Sequence, residues 1–316
     1  MLSLLLFSLQ ITLPIAILVL LGTFFKRIGW IDEPFNQSAS KLVFNVALPS
    51  LLFVNILKAE SGKTIDWTII GFGVAFTLAA FFVLSLLSHW VTGIREERGV
   101  FVQGAFRGNM GIVGLGFCLS AFGADGATLA SVYLAVLSLV YNILSVITLN
   151  RWAPQSGNAN VVVASLKSLA RNPLIIAILA ASALRLSGIG VPDFILVSGE
   201  YLAQMTLPLA LLSIGASLSW SGFLTGGKVT AYASALKLIL IPYSAAVLGY
   251  LVGFRGMELG VMYLMMATPT AAASYMMVRA MGGNASLAAS IIAMTTVASL
   301  FTTSFGLVAM KALQWI

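Results

Sequence analysis

The sequence predicts an all-α polytopic membrane protein of about ten transmembrane helices, arranged as two inverted five-helix repeats whose fourth and ninth spans are broken and cross. Three observations predict it. The composition is too apolar for a water-soluble fold, apolar stretches of spanning length recur along the chain, and one fixed offset matches the chain to itself.

The composition is decisive on its own. Of 316 residues, 59% are hydrophobic and only 9% are charged, against about a quarter charged in an average soluble domain. Mean hydropathy is +1.01. So few charges cannot cover the surface of a soluble protein of this size, which disfavours a cytosolic enzyme, a nucleic-acid binder and a disordered scaffold. The net charge of +7 is spread thinly along the chain and reads as membrane orientation, not as a nucleic-acid footprint. Cys118 is the single cysteine and His89 the single histidine. An intrachain disulfide, a CxxC metal site and a multi-histidine zinc site are thereby excluded, so no metal and no cofactor is expected. His89 stands beside Trp90 at the end of an apolar stretch and reads as a helix-terminal interface residue rather than a proton relay. The first apolar stretch is long enough to span, so it is not read as a cleavable signal peptide.

A bilayer core of about 30 Å needs about 20 apolar residues of helix. Such stretches fall at 3–25, 36–57, 67–90, 99–122, 126–149, 173–190, 194–218, 229–251, 258–280 and 285–310. Trp30, Trp67, Trp90, Trp152, Trp220 and Trp315 lie at their ends, as an aromatic belt would place them. The longest polar connection, 150–172, is the one credible linker. It divides the chain into a first repeat, 1–149, and a second, 173–316.

Sliding the chain against itself by 159 residues pairs Pro14 with Pro173, Gly29 with Gly188, Leu48-Pro49 with Leu207-Pro208, and Gly123 with Gly282. Asp125 falls on Asn284, and Ala130-Ser131 on Ala289-Ser290. An odd number of spans in each copy sends the second into the membrane upside down. Inverted repeats mark many secondary transporters, with the site near the midplane where the repeats meet. Lys26, Arg27, Arg95, Arg98, Arg151, Lys167, Arg171, Lys228 and Arg279 fall on one set of loops, and Lys58, Lys63, Arg185, Arg255 and Lys311 on the other. The positive-inside bias then puts both termini outside and the linker in the cytoplasm.

Helix breaks locate the candidate site. Arg107 lies well inside the fourth span, followed by Gly108-Asn109-Met110-Gly111-Ile112-Val113-Gly114-Leu115-Gly116. Gly104 and Gly108 are spaced for close helix packing, but that spacing leaves Asn109 and a buried charge at mid-depth unexplained. An intramembrane charge is a functional-site hypothesis. The offset carries Asn109 to Thr268 and Met110 to Pro269, so the ninth span has a proline at the matching depth, where it removes a backbone donor. Each second half-helix would start at the break and point its positive dipole end inward, which suits a carboxylate, as does Arg107. No acid falls at the breaks, and Glu200, opposite Lys41 in the repeat, sits nearer the outer face. Lys41 reads as snorkelling, whereas Lys237 lies deep enough to snorkel or to function. Candidates for substrate binding are Arg107, Asn109, Gly111, Gly114, Thr268, Pro269, Thr270 and Ser274, with Asn142 as a polar residue within a span. Asp125, Glu200 and Lys237 are candidates for coupling or gating. Arg107 is open to a second reading, as a structural partner of backbone carbonyls. Eight of twelve methionines lie between Met257 and Met294 and read mainly as packing. Pro49 and Pro208 read as scaffold kinks.

Three segments carry a resemblance: 41–52 (KLVFNVALPSLL), the Arg107-Gly108-Asn109 break, and 267–304 (ATPTAAASYMMVRAMGGNASLAASIIAMTTVASLFTTS). They resemble the auxin efflux carrier family, which includes plant auxin exporters and bacterial malate and malonate permeases. The resemblance covers essentially the whole chain, and the short central linker is similar to that of bacterial members. It implies a ten-span carrier of small organic anions, homodimeric, in the cell (inner) membrane. A scaffold of spans one, two, six and seven would hold a moving, elevator-like transport domain of spans three to five and eight to ten. Asn109 matches the family's asparagine at the first crossover, and Thr268-Pro269 lies in the second. Where many members have Gly-Leu-Pro, this chain has Gly114-Leu115-Gly116. An inside-negative potential expels a monoanion without help, so the expectation is an electrogenic uniporter or exporter. Coupling to Na⁺ or H⁺, as in the related bile-acid transporters, and a ligand-binding membrane sensor remain the alternatives, and no enzyme is expected.

Overall fold

The computed structural model describes residues 2–58, 67–152, 173–217 and 227–316. Among these the chain is helical throughout, its only β-type pairing a single antiparallel bridge. The linker expected at 150–172 and Trp220 lie largely or wholly outside the described residues.

Helix α1 (Leu2–Arg27) carries Lys26 and Arg27 in its last turn, where cations complement the helix dipole, and Gly29 follows at φ +79°. Asp32 starts α2 (Glu33–Leu42) by accepting the Phe35 N–H at 2.8 Å, an N-cap that satisfies one free donor of the first turn. A π-helical turn (Val43–Ala47) joins α2 to α3 (Leu48–Lys58). Pro49, next to the start of α3, has no N–H to donate, and the wider turn before it accommodates the missing bond. The same device recurs where α9 (Lys228–Ala235) passes through a π turn (Leu236–Leu240) into α10 (Ile241–Val252), with Pro242 at its start. A helix α4 (Trp67–Val91) stands between α3 and the first break.

Helix α5 (Arg95–Phe106) ends at Arg107, whose φ −80° and ψ 103° are extended. A π turn (Met110–Gly114) then leads into α6 (Leu115–Trp152). That helix is two segments in one, because Gly123 sits at φ 62°, ψ −151°, a region open almost only to glycine. Helix α7 (Pro173–Ser187) turns at Gly188, φ +69°, into α8 (Asp193–Ser217). Helix α11 (Gly256–Met266) stops at Ala267, and α12 (Ala273–Ala280) resumes after the second break. Asn284 caps α13 (Ala285–Ala312) through the Leu287 N–H at 3.0 Å. Two glycine pairs 159 residues apart, Gly29 with Gly188 and Gly123 with Gly282, share positive φ.

Helices α1 and α3 pack chiefly on α7 and α8; α4, α5, α6 and α9 to α12 pack largely on one another; and α13 packs on both groups, most extensively on α1. Gly22 of α1 lies directly against the Leu212 backbone of α8, and Thr23 Oγ1 donates to the Gly215 carbonyl at 2.9 Å. Small residues let backbones meet where the surrounding lipid supplies no hydrophobic drive. Phe101, Phe106, Phe117, Tyr133, Leu137 and Tyr263 fill the centre. Outward stand Leu20, Phe24, Phe82, Leu86, Leu179, Leu251, Phe301 and Phe305, all exposed, an apolar surface far too extensive for water. Among the described residues, six helical runs are long and apolar enough to cross a membrane: Glu33–Lys58, Trp67–Val91, Met110–Trp152, Asp193–Ser217, Lys228–Val252 and Ala285–Ala312. The protein is therefore an integral membrane protein with many apolar helices.

The aromatic belt needs one correction. Trp30, Trp67 and Trp90 are exposed at helix ends, but Trp152 is 5% exposed. Arg151 covers its ring at 5.1 Å and His89 meets it edge-on at 6.4 Å. The indole packs between α4 and the end of α6 because Arg151 supplies the outward-facing charge in its place. His89 itself lies against the Ser85 carbonyl of its own helix, Nδ1 at 3.1 Å, in keeping with a helix-terminal role.

Candidate functional site

The two breaks meet. Between α5 and the following π turn, residues Arg107 to Asn109 leave the helix; between α11 and α12, Pro269 to Ala271 run alongside them. Asn109 N–H donates to the Pro269 carbonyl at 2.7 Å and Ala271 N–H to the Arg107 carbonyl at 3.1 Å. Gly108 and Thr270 form the antiparallel bridge between them. Irregular backbone at membrane depth must find partners inside the protein, and each break supplies them to the other.

The helix ends around this junction are capped from elsewhere in the chain. Thr270 Oγ1 donates to the Gly104 carbonyl at 2.7 Å, closing the end of α5, and Thr270 N–H donates to Thr295 Oγ1 of α13 at 3.1 Å. Thr268 Oγ1 donates to the Met265 carbonyl at 2.9 Å. Lys237 is completely buried, and its Nζ donates to the Met266 carbonyl at 2.9 Å. The ammonium therefore sits on the negative end of α11, where a cation is stabilised. The π turn that carries Lys237 brings it against the bridge: a Cβ at Gly108 would stand 3.0 Å from Nζ and would collide with Thr268 Oγ1. Gly114 lies equally close to its neighbours, since a Cβ there would stand 2.7 Å from Met265 Sδ.

Arg107 faces the other way. Its Nη2 donates to Asn142 Oδ1 at 2.8 Å and its Nη1 to Ser145 Oγ at 3.2 Å, both on α6. Nη1 also reaches Met277 Sδ on α12. The guanidinium therefore joins three elements, with side-chain partners in place of the backbone carbonyls considered from sequence. Asn109 is half-buried, and its side-chain amide has no hydrogen-bond partner among the described residues.

Charge can be summed over this arrangement. Two helix ends of each sign converge, each equivalent to about half an elementary charge, so their dipoles roughly cancel. Arg107 and Lys237 remain as the basic side chains of the junction, and no Asp or Glu is buried among the described residues. The junction is a basic, largely buried region in an apolar body, chemistry that favours an anion with hydrogen-bond acceptors.

The sequence candidates sort as follows. Arg107, Asn109, Gly114, Thr268, Pro269, Thr270, Asn142 and Lys237 come together at or beside the junction, and Ser274 is buried on the adjoining α12. Gly111 would meet only Leu134 if it bore a Cβ. The Thr268 and Thr270 hydroxyls are already engaged with backbone carbonyls. Asp125 is exposed beyond the Gly123 kink, which itself lies about 13 Å of helical rise from Gly114. Glu200 forms an ion pair with Lys58 of α3. Ser145, Met277 and Gln103 were not singled out from sequence. The available signals were helical spacing alone, Ser145 three residues from Asn142 and Gln103 four from Arg107.

Comparison with known proteins agrees with this architecture. Residues 7–307 match a family described as membrane transport protein. The chain is similar to an uncharacterized transporter of Methanocaldococcus jannaschii, 29% identical over 97% of this chain and 98% of that one. It is also similar to an uncharacterized transporter of Methanothermobacter thermautotrophicus, 26% identical over 93% and 95% of the two chains. The uncharacterized transporter YfdV of Escherichia coli is 27% identical over 92% of this chain and 95% of its own.

Proposed function

The chain belongs to the membrane transport protein family, the family of the auxin efflux carriers, and from that premise we propose that it carries small organic carboxylate anions through the junction of its two broken helices. The observation that carries this reading is the pair of buried cations, Arg107 and Lys237, beside a junction without a buried acid among the described residues. The anion's carboxylate lies at the break, held between the free amide of Asn109 and the Arg107 guanidinium, within the field of both cations. Gly111, Gly114, Pro269 and the capped Thr268 and Thr270 shape the backbone around it, with Asn142 and Ser274 beside Arg107.

Transport is an electrogenic uniport or export driven by the membrane potential, at about 2.3 kcal/mol per charge per 100 mV. The ion pair of Glu200 with Lys58 supports leaving that acid out of coupling. Ten spans in two inverted repeats, 1–149 and 173–316 about the linker, are supported by the two breaks at matching depth and by the positive-φ glycines 159 residues apart. Dividing Met110–Trp152 at Gly123 and pairing α5 and α11 with the segments beyond their breaks reaches that number. The packing of α1 and α3 on α7 and α8 supports a scaffold separate from an elevator-like moving part. The protein is a homodimer of the inner membrane with termini outside and linker inside.

The test is exchange of labelled malate, malonate or indole-3-acetate into preloaded proteoliposomes, free of sodium. Exchange with at least one, abolished in Arg107→Gln, is expected. Exchange that starts only on adding sodium contradicts the uncoupled reading.

A further inference from the structure

Gln103 and Arg107 are four residues apart at the end of α5 and share a face. On α12, Ser274 and Met277 are three apart and share another. Where these faces meet, Gln103 Nε2 lies 3.7 Å from Met277 Sδ, and Arg107 Nη1 donates to the same sulfur. A thioether is a weak acceptor, yet here it receives a guanidinium and an amide from two buried side chains. Gln103 is fully buried and Arg107 is 9% exposed. Two more polar atoms in this cluster, Gln103 Oε1 and Ser274 Oγ, are buried with no hydrogen-bond partner among the described residues. Buried polar groups are normally paired, so two charged or polar donors on a sulfur and a buried hydroxyl with nothing to donate to form an arrangement built for a better acceptor.

We propose that Met277 is a displaceable plug: its sulfur occupies the position that a carboxylate oxygen of the transported anion takes against Arg107. The inference rests on the reading of the cargo as a carboxylate anion. Displacement exchanges a weak acceptor for charge-assisted hydrogen bonds, about twice as strong as neutral ones. Gln103 Nε2 follows the same oxygen, and the Ser274 hydroxyl donates to the second. Methionine suits the task because its unbranched, three-torsion side chain changes rotamer at small cost, and Met277 is only half-buried. Helix α12 has eight residues and lies between the second break and the Gly282 turn, so displacement of Met277 couples anion entry to a short, locally hinged element. Met277 therefore sets how readily an anion enters and selects for ligands with a strong acceptor.

The experiment compares Met277→Glu, Met277→Gln and Met277→Leu in the full chain. A carboxylate tethered at 277 reaches Arg107 from within. The Tm of Met277→Glu in detergent is expected several degrees above that of Met277→Gln, and the difference is expected to vanish when Arg107→Gln is added to both. Transport of malonate, malate and indole-3-acetate by Met277→Glu is expected to be lost. Met277→Leu keeps the volume and removes the acceptor, so its apparent KM for the carried anion falls about fivefold, one weak hydrogen bond's worth. Equal Tm values for Met277→Glu and Met277→Gln overturn the proposal. Should Met277→Glu fail to fold, an unchanged KM in Met277→Leu overturns it instead. If the Tm difference is present while the wild type carries none of the three anions, the plug stands and the assignment of cargo falls.

Discussion

Replacing Lys237 by methionine separates the role of its charge from the role of its bulk. The side chain is wholly buried, and its ammonium has one hydrogen bond, 2.9 Å to the Met266 carbonyl. A substrate carboxylate against the Gly108–Asn109 backbone lies close to it, because a Cβ at Gly108 would already be 3.0 Å from Nζ. At a separation of about 5 Å and an effective dielectric of about 20, the attraction is about 3 kcal/mol, roughly a hundredfold in affinity. Folding responds in the other direction. A buried charge with a single neutral partner carries a desolvation penalty that an apolar side chain of similar volume does not. Lys237→Met is therefore expected to keep or raise Tm while raising the KM for the carried anion by about two orders of magnitude. The assay pairs thermal unfolding in detergent with initial rates of anion exchange in proteoliposomes. A variant that transports with wild-type KM would refute the electrostatic reasoning. One that loses both Tm and transport would show Lys237 to be a structural cap on α11 and nothing more.

Three further expectations follow from the geometry. Gly108→Ala places a methyl group against Thr268 Oγ1 and Lys237 Nζ; overpacking of this kind costs about 1–3 kcal/mol, so a lower Tm and loss of exchange are expected, and an unaltered Tm would mean that the junction is loose. Lys58→Met removes the Lys58–Glu200 pair, whose side chains are 56% and 29% exposed; such pairs contribute about 0–1 kcal/mol, so little change in Tm or in exchange is expected, and loss of exchange would return Glu200 to the mechanism. Gly123→Ala and Gly282→Ala each force a methyl group onto a positive-φ residue at about 1–2 kcal/mol; comparable drops in Tm would support the repeat, and a neutral effect at either glycine would count against it.

The backbone of the site was more legible than its side chains. Proline at 269 and the glycines around Asn109 mark both breaks because they alter backbone hydrogen bonding directly, and the 159-residue offset set one break against the other. The π turns at Val43–Ala47 and Leu236–Leu240 were not foreseen. Proline marks a missing donor, but whether a kink or a wider turn absorbs it depends on packing. The fate of the charges was least legible. Position alone left Lys237 open to snorkelling or to function, and its complete burial follows from the π turn that rotates it inward. The partners of Arg107 lie on α6 and α12, and α6 is apolar nearly all round. With little contrast between faces, periodicity does not say which neighbour a face will meet. The same blindness hid the pairing of Glu200 with Lys58 on the adjoining helix. It also left Trp152 at the surface, when Arg151 takes the outward position.

The central claim is that an anion binds and crosses at the junction of the two breaks, carrying net charge. Asn109 is the residue to test, because its backbone builds the junction while its side-chain amide is uncommitted among the described residues. The most direct measurement is charge movement across proteoliposome membranes in sodium-free buffer on adding malate, malonate or indole-3-acetate, with wild type and Asn109→Ala side by side. The account predicts a current with at least one of these anions in the wild type and none in Asn109→Ala of unchanged Tm. A current of equal size in both would contradict it.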